Sequence, residues 1–161
     1  MQIQYTEYII HVAWMNYALK LAEKASRLGE VPVGAVIIDS SGQIISGGEN
    51  RKYREKDPTA HAEIVAIRAA TKILQNWRLH ECTMYVTLEP CPMCAGAIVQ
   101  ARLGTLVYGV DDPKTGAVRT VMNIPDSPAS NHSLRVIGGI LESECRQQLQ
   151  SWFTNHRHSK K

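Results

Sequence analysis

Four side chains in two short segments of the chain could together bind a metal ion and move protons. His61 and Glu63 lie in the first segment, and Cys91 and Cys94 lie in the second. Structural zinc sites usually have four protein ligands, whereas catalytic zinc sites keep one position open for water. One imidazole, two thiolates and a spare carboxylate therefore predict a zinc hydrolase that binds one Zn²⁺ per chain.

His61 and Glu63 lie where a helix is expected to begin. Asp57–Thr59 is typical of a helix start, and Ala62–Leu74 has a helical composition. Residues two positions apart in a helical turn point in directions about 200° apart. His61 can therefore bind the metal while Glu63 lies beside it, although a lone histidine before an apolar segment is more often a structural residue.

Cys91 and Cys94 are also expected at the beginning of a helix. They flank Pro92, and proline is favoured at the first helical position. A helix N-terminus lowers the pKa of a thiol and so favours the thiolate that binds metal. Taken alone, this cysteine pair could instead be a redox pair or half of a structural zinc site. The combination with His61 and Glu63 favours the catalytic interpretation.

The rest of the chain alternates helical and extended patterns. The predicted helices are about Thr6–Leu28, Ala62–Leu74, Pro92–Ala101 and Leu141–Asn155. The predicted strands are Val31–Asp39, Gln43–Gly47, Thr83–Leu88, Leu103–Val110 and Leu134–Ile137. Two loops are expected at Glu49–Thr59 and Asp111–Ser133, and the second is long enough to be functional or disordered. The order α-β-β-α-β-α-β-β-α predicts an α/β fold with a five-stranded mixed sheet.

Length and composition are those of one globular domain covering residues 1–161. The chain is 44% hydrophobic and 20% charged. We expect no membrane partner, because no apolar run approaches the length of a membrane span, and we see no secretory signal. Four cysteines, two of them in a metal motif, fit a reducing cytoplasm. The net charge of +3 permits nucleic-acid binding. The basic end Asn155–Lys161 is either a solvated tail or an electrostatic guide for phosphates.

Several segments of the chain resemble the zinc-dependent nucleoside and nucleobase deaminases. The matching segments are Glu30–Ala35, Asn50–Arg51, Asp57–Glu63, Tyr85–Ala97, Asp112–Ala117 and Asn131–His132. The His-x-Glu and Pro-Cys-x-x-Cys signature identifies the superfamily. The last two segments are similar to the branch that acts on tRNA adenosine. The resemblance spans about Tyr8–Arg157 and implies a three-layer α/β/α sandwich of the cytidine deaminase type and a homodimer.

The same resemblance implies roles for individual residues. His61, Cys91 and Cys94 would hold zinc, while Glu63 would carry protons between water, the ring nitrogen and the departing amine. Further residues would contact the substrate: Val33 and Ala62 around the base, Asn50 at the nucleoside, Asp112 and Lys114 near the RNA backbone, Asn131 and His132 near the flipped nucleotide and its neighbours, and Phe153 by stacking. For Phe153, packing in the core is the favoured alternative. For Glu89 we favour hydrogen bonding to helix-terminal amides.

The function predicted from this resemblance is hydrolysis of the wobble adenosine of a tRNA anticodon stem-loop to inosine. Two alternatives stay open. The zinc motif fits a deaminase of free guanine or cytosine equally well. A non-catalytic, zinc-stabilised RNA-binding module is the third hypothesis, and Glu63 argues against it because a structural site needs no carboxylate there.

Overall fold

The structure is a computed structural model that describes residues 4–157. In this part of the chain the elements follow the predicted order. The helices are α1 (Tyr5–Arg27), α2 (Ala62–Leu74), α3 (Pro92–Gln100) and α4 (Glu142–Arg157). The strands are β1 (Gly34–Ile38), β2 (Ile44–Glu49), β3 (Thr83–Leu88), β4 (Thr105–Val110) and β5 (Arg135–Ile137). Lys160 and Lys161, part of the predicted basic end, lie outside the described residues.

The strands form one mixed sheet in the order β2-β1-β3-β4-β5. Strand β1 is antiparallel to both β2 and β3, whereas β3, β4 and β5 are parallel. The parallel pair β3–β4 needs a crossover connection, and α3 provides it. The predicted five-stranded mixed sheet is therefore confirmed.

Helices cover both faces of this sheet. Along β1, Ala35 and Ile37 pack into a core with Ala66 of α2 and Ile98 of α3. The alternate residues Val36 and Ile38 face the other way, into a core with Met15 of α1 and Cys145 of α4. Side chains alternate between the faces of a strand, so a strand buried on both faces is apolar throughout. This arrangement confirms the three-layer α/β/α sandwich.

One glycine allows α2 to lie directly against the sheet. A Cβ atom added to Gly48 of β2 would come within 2.5 Å of the carbonyl oxygen of Ala62. The backbone of β2 therefore touches the first turn of α2, which fixes the position of His61 just before that turn. None of the helices found between residues 4 and 157 is both long and apolar enough to cross a membrane.

Candidate metal centre and substrate pocket

The predicted metal ligands meet at one edge of the sheet. His61 precedes the first residue of α2, and Cys91 occupies the same place before α3. Strand β3 ends at Leu88, and its register with β1 places Val86 opposite Ala35. The end of β3 and the beginning of β1 therefore share this edge, which we call the metal edge.

Three ligand atoms at the metal edge converge on one point. The Nδ1 atom of His61 lies 3.6 Å from the Sγ atom of Cys91 and 3.5 Å from that of Cys94. Tetrahedral zinc with usual bond lengths places a nitrogen ligand about 3.5 Å from a sulfur ligand. Among the described residues, no other group of three histidine, cysteine or acidic side chains is close enough to hold a metal. The site thus fits a tetrahedral zinc ion with three protein ligands.

Proton sharing links the three ligands. Hydrogen bonds from Cys94 and His61 outweigh burial and lower the pKa of Cys91 to about 4. The hydrogen bond with Cys91, together with burial, raises the pKa of Cys94. The pKa of His61 is raised, mainly by its hydrogen bond to Cys91. A metal ion must displace protons from these groups, so its affinity should fall as the pH is lowered.

Glu63 lies beside the ligand cluster without belonging to it. It is the second residue of α2, and only 4% of its surface is exposed. Burial raises the pKa of its carboxyl group. A carboxyl group whose pKa moves towards neutrality is better matched to proton transfer at physiological pH. The geometry therefore suits an acid–base role.

A cavity of about 190 Å³ opens above these groups. Four of the predicted substrate-binding residues line it: Val33, Asn50, Ala62 and Asp112. Asn50 also shapes the adjacent loop, because its amide donates to the carbonyl of Val31 and its carbonyl accepts from the backbone N–H of Lys52. Asn50 thus both lines the cavity and braces the loop.

Two open grooves adjoin the cavity. The Lys114 groove, with a volume of about 480 Å³, includes Asp112, Lys114, Arg146, Leu149 and Phe153. The Tyr53 groove, of about 470 Å³, includes Tyr53, Trp152, Phe153, His156 and Arg157. Val31 lines the cavity and both grooves.

Phe153 stands at the surface between the two grooves. Its side chain is 45% exposed and meets the ring of Trp152 edge-on at 5.1 Å between centroids. The preference for a core role was therefore wrong. The amphipathic pattern placed Phe153 on the inner face of the last helix, but Cys145 is the only fully buried residue of α4, and the later turn that carries Phe153 lies at the surface. Its contact with RNA stays a prediction.

Asn131 and His132 lie at the opposite edge of the sheet. The side-chain oxygen of Asn131 accepts a hydrogen bond from Arg102, and the ring of His132 contacts the carbonyl of Leu103. Both partners precede β4, whereas the metal edge lies where β3 and β4 end. Within one chain, these two residues do not reach the cavity.

Glu89 anchors the loop that begins at Asp112. Its carboxylate is 1% exposed and accepts backbone hydrogen bonds from Asp112 at 3.0 Å, Arg119 at 2.8 Å and Thr120 at 2.9 Å. The backbone N–H of Val118 and the hydroxyl of Thr120 also donate to it. Burial opposes ionisation of Glu89, but these bonds outweigh it and lower its pKa. The donors belong to a loop and not to a helix terminus, which corrects the sequence-based prediction.

Glu30 anchors the loop on the other side of the cavity. This carboxylate is fully buried and accepts hydrogen bonds from the backbone N–H groups of Tyr53 at 3.1 Å and Arg54 at 2.7 Å. The guanidinium of Arg54 also reaches Glu49 at 3.1 Å. The loop that carries Tyr53 is therefore fixed to the body of the molecule.

Comparison with known proteins places the chain in a family. A model of the MafB19-like deaminases matches residues 9–155. The chain belongs to this deaminase family. It is 50% identical to a tRNA-specific adenosine deaminase of Haemophilus influenzae over 147 residues, which cover 91% of this chain and 85% of the relative.

Two solved structures extend this comparison. A structure from work on A-to-I editing by tRNA deaminases at the wobble position has a TM-score of 0.82 and 43% identity, and the match covers 85% of this chain and 99% of that one. Guanine deaminase from Bacillus subtilis has a TM-score of 0.60 and 33% identity, with 88% and 92% covered. The sequence and the fold thus lie nearer to the tRNA-editing relatives than to this free-base enzyme.

Sequence reasoning missed several residues that line the cavity of this deaminase. They are Val31, Lys52, Tyr53, Leu88 and Thr115, whereas Glu89, which also lines the cavity, was predicted only as a hydrogen-bond acceptor. Lys52 and Tyr53 follow the matching segment Asn50–Arg51 in a stretch that was predicted only to be a loop. A basic residue next to an aromatic one, just after a predicted substrate contact, was the available signal.

Proposed function

We propose that this chain hydrolyses the wobble adenosine of a tRNA anticodon stem-loop to inosine. The observation that carries the proposal is the meeting of the His61, Cys91 and Cys94 ligand atoms with the buried carboxyl group of Glu63 beneath one cavity. The cavity is smaller than the roughly 300–1,000 Å³ of pockets for drug-sized ligands, so it suits a single nucleobase.

The residues have distinct roles in this proposal. His61, Cys91 and Cys94 would hold one Zn²⁺, which would supply a water nucleophile at neutral pH by lowering the pKa of bound water. Glu63 accepts a proton from the attacking water and donates it to the ring nitrogen beside C6. It then passes the second proton of that water to the leaving amine. A C–O bond forms, the C6–N bond breaks, and inosine and ammonia are the products.

The surroundings of the cavity support a polynucleotide substrate. Asn50, Val33 and Ala62 line the cavity as contacts for the target nucleoside, and Asp112 lies at the passage to the Lys114 groove. Lys114 and Phe153 lie outside, where RNA flanking the target would pass. The 50% identity to a tRNA-specific adenosine deaminase supports the same substrate class.

A homodimer is part of the proposal. Asn131 and His132 lie at the edge of the sheet remote from their own cavity, so their predicted role near the target nucleotide requires a second copy of the chain. We also propose that the reaction takes place in the cytoplasm, which is supported by the fact that Cys82, Cys91, Cys94 and Cys145 form no disulfide.

A free-base deaminase is the second candidate. It is favoured by the similarity to the Bacillus subtilis guanine deaminase and by the small volume of the cavity. The grooves on either side of the cavity argue against it, because a free base leaves both of them without a ligand.

The deciding experiment compares these substrates directly. Purified protein is incubated with total tRNA and A-to-I changes are read by sequencing, while guanine, cytosine and adenine are assayed in parallel for ammonia release. We expect inosine at a wobble position and none with the Glu63→Ala variant. Turnover of guanine or cytosine without inosine in tRNA would assign the chain to the free-base enzymes.

A further inference from the structure

An exposed aromatic residue stands at the mouth of the catalytic cavity without an assigned role. Tyr53 lines both the cavity and the Tyr53 groove, and 59% of its surface is exposed. Exposed tyrosines are common and need no explanation by themselves. Tyr53 needs an explanation because it lies at the junction between a base-sized cavity and an open groove.

The backbone beneath Tyr53 is held in place. The buried carboxylate of Glu30 accepts the N–H groups of Tyr53 and Arg54, and Arg54 is held in turn by Glu49. A ring carried on a fixed backbone loses less conformational freedom when a ligand binds to it than a ring on a mobile loop. The backbone that carries the Tyr53 ring is therefore fixed before a ligand binds.

The Tyr53 groove has the composition of a site for unpaired nucleotides. Trp152, Phe153 and His156 line it from α4, and Arg157 adds a positive charge. The ammonium of Lys52 lies 5.6 Å from the centre of the Tyr53 ring. Aromatic rings on which bases stack, combined with basic side chains that follow the phosphates, are the usual means of binding single-stranded nucleic acid.

The Tyr53 groove and the Lys114 groove both adjoin the cavity, and this arrangement is the reason why we expect the Tyr53 groove to bind a nucleotide. A target nucleotide inside an RNA loop is joined to one neighbour on its 5′ side and to another on its 3′ side. Val31 lines the cavity, the Lys114 groove and the Tyr53 groove. Phe153 lies where the two grooves meet. The surface around the cavity therefore has room for nucleotides on both sides of the target.

We propose that the Tyr53 groove binds the base of one nucleotide adjacent to the target adenosine and that Tyr53 is the ring on which this base stacks. This proposal rests on the proposed function, because it takes the substrate to be an RNA loop. It assigns to Tyr53 a part in substrate selection and none in the chemical step.

The test combines variants of the protein with variants of the RNA. The substrate is an anticodon hairpin that the wild-type chain edits, prepared also with an abasic site in place of the 5′ neighbour or the 3′ neighbour. Wild type, Tyr53→Ala and Tyr53→Phe are compared by kcat/KM for inosine formation. Tyr5→Ala, an exposed tyrosine at the beginning of α1, is the matched control. Zinc content and thermal unfolding establish that each variant is folded.

On the intact hairpin, Tyr53→Ala should lower kcat/KM roughly 5- to 150-fold, the range expected when one stacking ring is removed. The loss should lie mainly in KM. Tyr53→Phe should remain close to wild type, since it keeps the ring, and Tyr5→Ala should have no effect. With one of the two abasic hairpins, the difference between wild type and Tyr53→Ala should disappear, and that hairpin identifies the neighbour that stacks.

Other outcomes overturn the proposal. An unchanged kcat/KM for a folded Tyr53→Ala variant excludes stacking on this ring. A loss that is equally large on the intact hairpin and on both abasic hairpins would mean that Tyr53 is structural. If the wild-type chain edits no hairpin but deaminates free bases, the proposed function itself fails, which is a different result from an active enzyme that is indifferent to Tyr53.

Discussion

The two walls of the cavity above the metal edge are built in different ways. The metal wall consists of His61, Glu63 and Cys91, with the buried Cys94 behind them. All four lie in or just before the first turn of a helix. The opposite wall consists of two loops, which carry Tyr53 and Asp112. Neighbouring residues in the sequence position the metal wall, whereas two buried carboxylates distant in the sequence position the loops. The metal wall is thus encoded locally, whereas the position of the two loops depends on long-range hydrogen bonds.

The largest effect should follow from breaking the metal wall. Cys91→Ala removes one of three ligands, and we expect zinc in the purified protein to fall from about one ion per chain to near zero. Because metal binding contributes to folding, the variant should also unfold at a lower temperature, and a chelator should no longer shift that temperature. Metal analysis and thermal unfolding measure both results.

Cys82→Ala is the matched control for this substitution. Cys82 is a buried free thiol that does not belong to the ligand group. This variant should keep its zinc. Retention of a full zinc complement by Cys91→Ala would contradict the assignment of ligands.

The second prediction separates proton transfer from metal binding within the same wall. Glu63→Ala should keep zinc and fold but lose turnover by about 10²–10⁴-fold, the usual contribution of general acid–base catalysis. Single-turnover inosine formation and metal analysis are the two measurements. Loss of zinc from this variant, with activity restored by added metal, would reassign Glu63 as a ligand.

The metal wall could be predicted from the sequence, whereas the opposite wall, which the two loops form, could not. The difference has a physical reason. The positions of the prolines, His61 and the cysteines predicted two helix N-termini, and a three-ligand metal site needs little more than their meeting at one edge of a sheet. The acceptor Glu89 was visible in the sequence, but its donors lie 23 to 31 positions away in an irregular loop. No periodic pattern marks such partners. For the same reason, the role of Glu30 was missed.

The third prediction weakens the longer loop of the opposite wall. In Glu89→Gln, one side-chain oxygen can still accept the N–H groups of Val118, Arg119 and Thr120. The amide nitrogen of the new side chain then faces the N–H of Asp112, which is left unpaired. An unpaired buried donor costs about 1–3 kcal/mol. We expect stability to fall by this amount and KM for an RNA hairpin to rise, with zinc content unchanged.

Thr120→Val is the control for this prediction, because it removes only the hydroxyl donor and leaves the N–H of Asp112 paired. The pH dependence sharpens the comparison. The folded-state pKa of Glu89 is below its ordinary value of 4.5, so the stabilisation is present above about pH 4.5 and is lost as the pH falls through the lowered pKa. Glu89→Gln should lose this part of the acid sensitivity. A KM like that of wild type would show that the position of Asp112 does not depend on Glu89.

The smallest effect is expected at the shorter loop. Glu30→Gln can keep the hydrogen bond from the N–H of Arg54, and Arg54 keeps its ion pair with Glu49 at 3.1 Å while it loses the longer one with Glu30 at 3.8 Å. The N–H of Tyr53 loses its hydrogen-bond acceptor. Because one such bond is lost, we expect the free energy of unfolding to fall by about 1 kcal/mol. The kcat for inosine formation should be unchanged, because the metal wall is intact. The KM for the hairpin should rise less than in Tyr53→Ala.

The double variant Glu30→Gln/Tyr53→Ala decides how Glu30 acts. If Glu30 affects substrate binding only through the position of the Tyr53 ring, the double variant should have the same KM as Tyr53→Ala, because residues that act through one contact are not additive. Independent, multiplied effects on KM would mean that Glu30 supports Asn50 or Lys52 as well. The shorter loop would then resemble the longer one, with one carboxylate holding several substrate contacts at once.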